Sequence, residues 1–562
     1  MILLLGIVAA ACTGPAGDER GASGVTAVIN AAVYTVDPAQ PEAEAFAYDA
    51  TGVIIAVGSE AVVLDAAGKA ATIIDAEANF IVPGFQDPHV HVPEAGINAG
   101  LCFMSGNDLE RLETQAQQCS ERQPDSQWVR AAGPSLFNLR NTSENPIDVL
   151  DRAIPNRPAL ILDDLGHAVW TNTLGLEAAG IEESDPDPQG GVLHRDATTG
   201  RLTGLLLEDA QQLVRNAAAG SDDSNYQGLL EALDQLAEHG VTSVSDAGGY
   251  WAQNHPAAWQ RALDEDTLTV RAANSMYVYP ALDVEEQLAE LKQRFANASD
   301  LLRFDTAKIY VDGILDLGTA SLVEPYDSPV DPLLPSGFSY FRPDQLRRYV
   351  SELHTIGYRI NFHVIGDAAV RTALDSIEAI DDTPSAIAGR RHRTTHNYLV
   401  HPDDIDRFAR LGVIADFQQS GDAVATDYHE FLSQFIGDRA LAVIPTAQLL
   451  EAGARVTLSS DWDAGPLPPL GTIERALTRD ANAVPDLETA LGLSTIEAAY
   501  ALGHDDTTGS ITIGKFADFV ILDQNLFDID VHRIDNTRIL ATFLNGKAVY
   551  EALDFRQLSP TP

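Results

Sequence analysis

Basic residues are scarce in this chain. Lys and Arg number 36 against 82 Asp and Glu, which leaves a formal net charge of -46. A field of that sign repels phosphate backbones and anionic lipid, so a nucleic-acid partner is excluded. No Lys/Arg-rich run argues otherwise. The acidic excess favours solubility in a salty medium and attraction of cations. Cysteine is scarcer still, with 3 in 562 residues. None stands in a Cys-x-x-Cys pair, which excludes a cysteine metal site of that kind. Low-complexity tracts and short internal repeats are missing too. What remains is a globular composition, 45% hydrophobic and 21% charged, with 42 Gly and 29 Pro. Its length suits a barrel with an accessory domain.

The first segment is not fold. Ile2 to Ala11 is apolar and too short to span a bilayer as a mature helix. It ends Val8-Ala9-Ala10-Ala11-Cys12, which resembles the lipobox of a bacterial lipoprotein signal, with Ala9 where that pattern usually has Leu. The resemblance implies cleavage before Cys12, acylation of its sulfur and export to the periplasm or an outer-membrane anchor. A signal cut elsewhere is the competing reading. Residues 1–24 are thus expected to be signal and tether. Export would put Cys102 and Cys119 in an oxidising compartment, as a disulfide or as two unrelated buried thiols. With Cys12 acylated, the two left over are an even count, and a disulfide is expected.

Short β segments separated by turn formers fill Thr26 to Ile81, among them Ala32–Val36 and Gly52–Gly58. The far end has the same texture, with Phe519–Asp523 and Ile539–Leu544 before the hairpin signal Asn545-Gly546. Neither piece can bury a core alone, so residues 25–81 and 508–555 are expected to join as one composite β-sandwich. Between them, residues 82–507 alternate apolar strands with amphipathic helices. Leu229–His239 precedes Val241–Ser245, Gln345–Ile356 precedes Arg359–His363, and Ala447–Ala452 precedes Arg455–Ser460. That alternation predicts an α/β fold, a distorted (β/α)8 barrel. The less regular region near 95–224 is expected to hold early barrel elements and an inserted cap.

The segment Val82-Pro83-Gly84-Phe85-Gln86-Asp87-Pro88-His89-Val90-His91 is the most informative. On a strand, residues two apart share a face, so both imidazoles can converge on one ion. Lys308, His363, His396 and Asp461 also stand at the ends of apolar strands. Active sites of such barrels form at the C-terminal strand ends. One histidine there is more often a satisfied core residue than a ligand, but six ligand-type residues at several strand ends are not explained by chance.

These motifs, with Gly366-Asp367, His401-Pro402-Asp403-Asp404 and the closing Gly509-Ser510-Ile511…Gly514-Lys515…Ala517-Asp518, resemble the amidohydrolase superfamily, in the branch that includes N-substituted formamide deformylases. The likeness runs from about Val28 to Tyr550. It implies two divalent metal ions, zinc by expectation, with His89 and His91 on the first and His363 and His396 on the second. Lys308, carboxylated on its amine, would bridge them, because an ammonium cannot ligate. Asp461 would bind the first ion and carry the proton of the attacking water. The rival bridge is Glu208, a single-ion site is a further arrangement, and Lys308 paired with Asp305 or Asp312 is the structural alternative. His167, Trp170 and Arg479 are expected substrate contacts, set against local packing or a salt bridge. Asp246 is read as support for the ligands or as a helix cap. His392 and His401 are read as exposed, His401 at a helix start. The segment Trp128-Val129-Arg130-Ala131-Ala132-Gly133-Pro134 departs from the Trp-x-x-Gly-x-Gly-Trp of that branch, which bears on the substrate and not on the metals.

The expected activity is hydrolysis of a C–N bond in an amide, formamide or cyclic amide by a metal-activated water. The alternatives are a deaminase or other hydrolase on the same ions, or a non-catalytic metal- or solute-binding lipoprotein. Expected partners are a small-molecule substrate, the membrane only through a lipid anchor, and a second copy in a homo-oligomer.

Overall fold

A computed structural model describes residues 24–106, 108–297, 299–419 and 426–556. Its centre is a barrel of eight parallel strands, which we number one to eight in chain order: Phe85–Val90, Val241–Gly249, Arg271–Tyr277, Leu302–Tyr310, Arg359–Val364, Arg393–His396, Ile414–Gln418 and Val456–Ser459. Seven of the neighbouring pairs are hydrogen-bonded ladders. The eighth junction is made past the end of strand eight. There the Asp461 N–H donates to the His89 carbonyl at 2.9 Å, and the Ser460 N–H donates to Asp87. This irregular closure brings strand eight and the His-x-His segment together at the C-terminal ends of the strands.

The helices arise as their sequences dictate. Asp222–Glu238 starts at Ser221, whose side chain accepts from the Ser224 N–H, and buries Leu229, Leu233 and Leu236 on one stripe. Pro343–Ile356 has Pro in its first turn and buries Leu346, Tyr349, Val350 and Leu353. Both precede strands that are buried on both faces, as parallel barrel strands are.

The two chain ends share one six-stranded sheet in the order Lys547–Glu551, Ile539–Leu544, Phe519–Leu522, Phe80–Pro83, Ala32–Tyr34, Glu42–Ala43. A four-stranded sheet of residues 26–75 completes the sandwich. The Asn545-Gly546 turn has φ of 51° and 71°, the pair of left-handed conformations a tight hairpin needs. Phe80–Pro83 then runs into barrel strand one through Gly84, where a Cβ would meet the Thr242 hydroxyl oxygen at 2.2 Å. The buried ion pair of Arg271 with Asp518, 2.9 Å, ties the barrel to the sandwich.

The long connection from strand one to strand two forms a sheet of its own, packed on the barrel in one continuous hydrophobic core. It contains a six-stranded mixed sheet in the order Gly191–Arg195, Leu202–Glu208, Ala168–Trp170, Ala159–Leu162, Val129–Ala132, Cys102–Phe103. This corrects the expectation of early barrel elements near 95–224. Among the described residues every barrel strand after the first begins at Val241 or later. Short apolar strands read alike from sequence whichever sheet they join.

Candidate metal centre

The barrel brings six residues to one place from five of its strands. His89 and His91 come from the end of strand one, Lys308 from strand four, His363 from strand five, His396 from strand six, and Asp461 from just past strand eight. Donor atoms of His89, His91 and Asp461 all lie within 4.8 Å of one another. Asp461 Oδ1 is 3.2 Å from His89 Nε2 and 3.4 Å from His91 Nε2, and its Oδ2 is 3.8 Å from His396 Nδ1. The ring of His396 packs against His89 at 5.1 Å and His363 at 4.4 Å between centroids.

The protonation states suit a cation. Burial holds His89 and His363 well below the ordinary imidazole range, helped by Lys308 beside His89 and by His396 beside His363. Burial brings His396 down to about 3. Burial thus disfavours the protonated form of all three rings. Burial pushes the Asp461 carboxyl up, but His89 and His396 beside it outweigh that and hold it well below the usual range. His91 donates from Nδ1 to Glu94 at 3.0 Å, which leaves Nε2 free to face Asp461. His363 Nδ1 is buried with no hydrogen-bond partner among the described residues, and an orphaned buried nitrogen is costly unless something ligates it. Neutral imidazoles, an ionised carboxylate and one unsatisfied ring nitrogen fit divalent ions such as zinc.

Lys308 is fully buried beside this cluster. Its Nζ is 3.1 Å from His89 Nε2 and lies 4.8 Å from the centre of the Tyr310 ring. Burial lowers its amine to about 7. Neither alternative partner engages it. Asp312 accepts from the N–H groups of Ser321, Ile365 and Gly366, and Asp305 pairs with Arg359. Glu208, the rival bridge, belongs to the cap sheet. Its carboxylate is filled by His167 Nδ1 and the Tyr340 hydroxyl, each at 2.6 Å, and by Thr319. Burial raises the Glu208 carboxyl, and the His167 imidazole beside it reverses the shift. Glu208, His396 and Asp461 all have positive φ, 55°, 74° and 57°. Such backbone costs of order 1–3 kcal/mol per residue and gathers at sites where position matters more than stability.

A cavity of about 240 Å³ opens on this cluster. Its barrel side is His91, Tyr310, His363, His396 and Asp461, and its cap side includes Phe103, Gly133, Leu162, Asp163 and His167. His167 thus stands in the pocket, with its ring 5.0 Å from His363. Trp170 does not line it. It is buried in the hydrophobic core that cap and barrel share, with Nε1 donating to the Pro146 carbonyl at 3.2 Å. Arg479 does not line it either, since its guanidinium is spent on Gln419 Oε1 and the carbonyls of Val443 and Ile444. Asp246 supports the ligand segment. Its carboxylate accepts from the Val92 N–H, Trp259 Nε1 and Asn274. His401 caps the helix Pro402–Leu411. His392 is buried rather than exposed, bonded to His354 at 3.0 Å and to the Ile360 N–H. Cys102 and Cys119 are joined by a disulfide with a Cα–Cα distance of 5.6 Å. Cys12 lies outside the described residues.

Sequence reasoning missed Glu94, Tyr310 and Arg215. Glu94 pairs with both His91 and Arg215. The signal for it was the three-residue spacing from His91 at the start of the helix Val92–Ala99. Tyr310 stacks on His363 at 4.3 Å, two residues along the same strand from Lys308.

Comparisons with known proteins identify the family. A family profile described as the amidohydrolase family matches residues 72–550. The chain is 27% identical to N-substituted formamide deformylase of Arthrobacter pascens, over 93% of this chain and 98% of that one. It is 29% identical to the putative amidohydrolase YtcJ of Bacillus subtilis, over 84% and 88%. Among solved structures, an uncharacterized metal-dependent hydrolase from Pyrococcus horikoshii superposes with a TM-score of 0.71 at 21% identity, covering 90% of this chain and 99% of that one. That likeness concerns the fold.

Proposed function

The chain belongs to the amidohydrolase family, in the branch with N-substituted formamide deformylase, and on that premise we propose that it hydrolyses a C–N bond in a small amide, formamide or cyclic amide. The observation that carries this reading is the convergence of His89, His91 and Asp461 within 4.8 Å at the end of the barrel.

In this reading His89, His91 and Asp461 hold one divalent ion and His363 and His396 the second. Lys308 lies against the first group, with its Nζ 3.1 Å from His89 Nε2. A buried amine brought down to about 7 is neutral in about half of the molecules at neutral pH, and that fraction can combine with carbon dioxide. The resulting carbamate would carry the negative charge that two ions need between them, which Glu208 is poorly placed to supply with its oxygens engaged by His167, Tyr340 and Thr319. Ions held there would supply an acidified water and a polarised substrate carbonyl. Asp461, held ionised, takes the proton of that water and delivers it to the leaving nitrogen. Glu94 fixes the His91 ring in the tautomer that ligates. His167, backed by Glu208, faces the same space from the cap and positions the substrate. Such a base has no part in a purely solute-binding protein.

We keep export as part of the proposal. A disulfide between Cys102 and Cys119 is at home in an oxidising compartment. A lipid on Cys12 is then the proposed membrane attachment, a small molecule is the partner, and self-association is to be read from the native mass. Acylation is checked by mass mapping of Cys12 in the natively exported protein. The activity is tested with a panel of N-formyl and N-acyl amines and zinc-loaded protein, with release of amine as the readout. Turnover that a chelator abolishes and zinc restores supports the reading. Release of ammonia from amino-heterocycles in place of amine would move it to deamination.

A further inference from the structure

The cap contributes one feature that the reaction as described leaves unused. Phe103 lines the mouth of the cavity that holds Asp461, His363 and His396, yet its side chain is 72% exposed. It sits on the two-residue strand Cys102–Phe103, at the open edge of the cap sheet. Its ring lies directly on Gly133, where φ is 103° and a Cβ would meet the ring at 2.2 Å. Gly133 belongs to the segment whose sequence departs from the family pattern. Beside it, Ala132 and Leu162 continue the apolar surface into the cavity, and Leu165 borders it. Asp164 and Asp463 also line the cavity and disfavour an anionic group, while the Arg215 guanidinium there is paired with Glu94.

A two-residue edge strand is a weak anchor, and here it has two supports. Cys102 and Phe103 pair with Ala131 and Ala132. The disulfide joins Cys102 to Cys119 on the helix Leu109–Arg122, 17 residues on. The bond therefore holds the rim of the pocket as well as the cap.

We infer that Phe103, carried on this disulfide-anchored rim, is a specificity-determining residue that receives an uncharged apolar substituent of the scissile amide. Burying alkyl carbon on an open aromatic face and its apolar floor is favourable in proportion to the area covered. The inference rests on the hydrolase reading for the nature of the amide, but its test does not need turnover.

The experiment uses the full metal-loaded protein and two probe series, N-alkylformamides and N-methylalkanamides, lengthened from methyl to hexyl. Calorimetry gives the affinity of each member, and amine release is followed in parallel. In the wild type, affinity in at least one series should tighten by about three- to fourfold per methylene until the shelf is covered. Phe103→Ala should flatten that dependence, and Phe103→Leu should keep most of it. Cys119→Ser should lie between them. The Phe103 side chain is exposed, so its replacement leaves the fold intact. A flat wild-type dependence, or the same slope in Phe103→Ala, overturns the inference. A slope that Phe103→Ala flattens, without turnover of any member, upholds the shelf and sinks the hydrolase reading. Turnover with a flat slope sinks the shelf alone.

Discussion

The two walls of the pocket are built on different principles. The barrel wall takes six residues from five parallel strands whose ladders fix one another, so each side chain has its position before any ligand arrives. The cap wall is a single inserted segment between strands one and two, and it presents His167 from a loop and Phe103 from an edge strand. The barrel wall is rich in neutral imidazoles and one carboxylate. The cap wall mixes an apolar rim with acidic residues and the His167–Glu208 pair. Chemistry that must not move sits on the barrel, and selection sits on the part that can vary without disturbing the barrel ladders.

The sharpest way to break this comparison is to empty the barrel wall. His89→Ala with His91→Ala should remove the first ion and lower turnover by at least about 10³-fold, with metal content measured by elemental analysis. Full metal content in that variant would contradict the assignment. Asp461→Asn tests the base itself. It should keep the fold and much of the metal while turnover falls by roughly 10² to 10⁴.

The bridge sets one wall directly against the other. Lys308→Ala should abolish activity and recover part of it when short carboxylic acids are added. Glu208→Gln should leave metal content near the wild-type value, because Glu208 serves His167 across the pocket. Activity that survives Lys308→Ala and vanishes in Glu208→Gln, together with the metal, would move the bridge to the cap.

Two smaller effects separate stability from chemistry. Opening the disulfide with Cys119→Ser should cost about 3 kcal/mol in the chain-entropy model for a loop of this size, read by denaturant melts, and the metal content should stay as it was. His392 belongs to neither wall and serves as a control. Its burial holds the imidazole well below 6.5. The folded state therefore keeps it neutral while the unfolded chain protonates it below about 6.5. Its contribution is present above that pH and is lost as pH falls, by up to about 1.4 kcal/mol per unit. His392→Gln should flatten the acid limb of the stability curve by that slope at most. An unchanged limb would show that His392 is not the group being charged.

The barrel wall was legible in the sequence and the cap wall largely was not, for a physical reason. Ligands at strand ends leave a local signature, since an apolar run must stop at a polar residue that the run itself aims at the barrel mouth. His363 and Asp461 show it, while His89 and His91 are marked by their His-x-His spacing and His396 follows the polar run Arg393-Thr394-Thr395. The Asn545-Gly546 turn was legible because only left-handed residues close such a hairpin. The direction of a side chain in a mixed sheet is not encoded locally. Trp170 and His167 are three residues apart, and only the three-dimensional pairing of Ala168–Trp170 with Leu202–Glu208 sends one into the shared core and the other into the pocket. Arg479 was misread for the same reason, as its partners lie far along the chain at Gln419, Val443 and Ile444.

The central claim is a two-ion centre bridged by a modified Lys308 on the barrel wall. Native mass spectrometry of the full chain, loaded with zinc in bicarbonate buffer, tests it most directly. The account predicts two zinc ions and one added carbon dioxide per chain, with the carbon dioxide and at least one ion lost together in Lys308→Ala. A wild-type chain that binds a single ion with no carbon dioxide, or a Lys308→Ala chain with both ions in place, would contradict it.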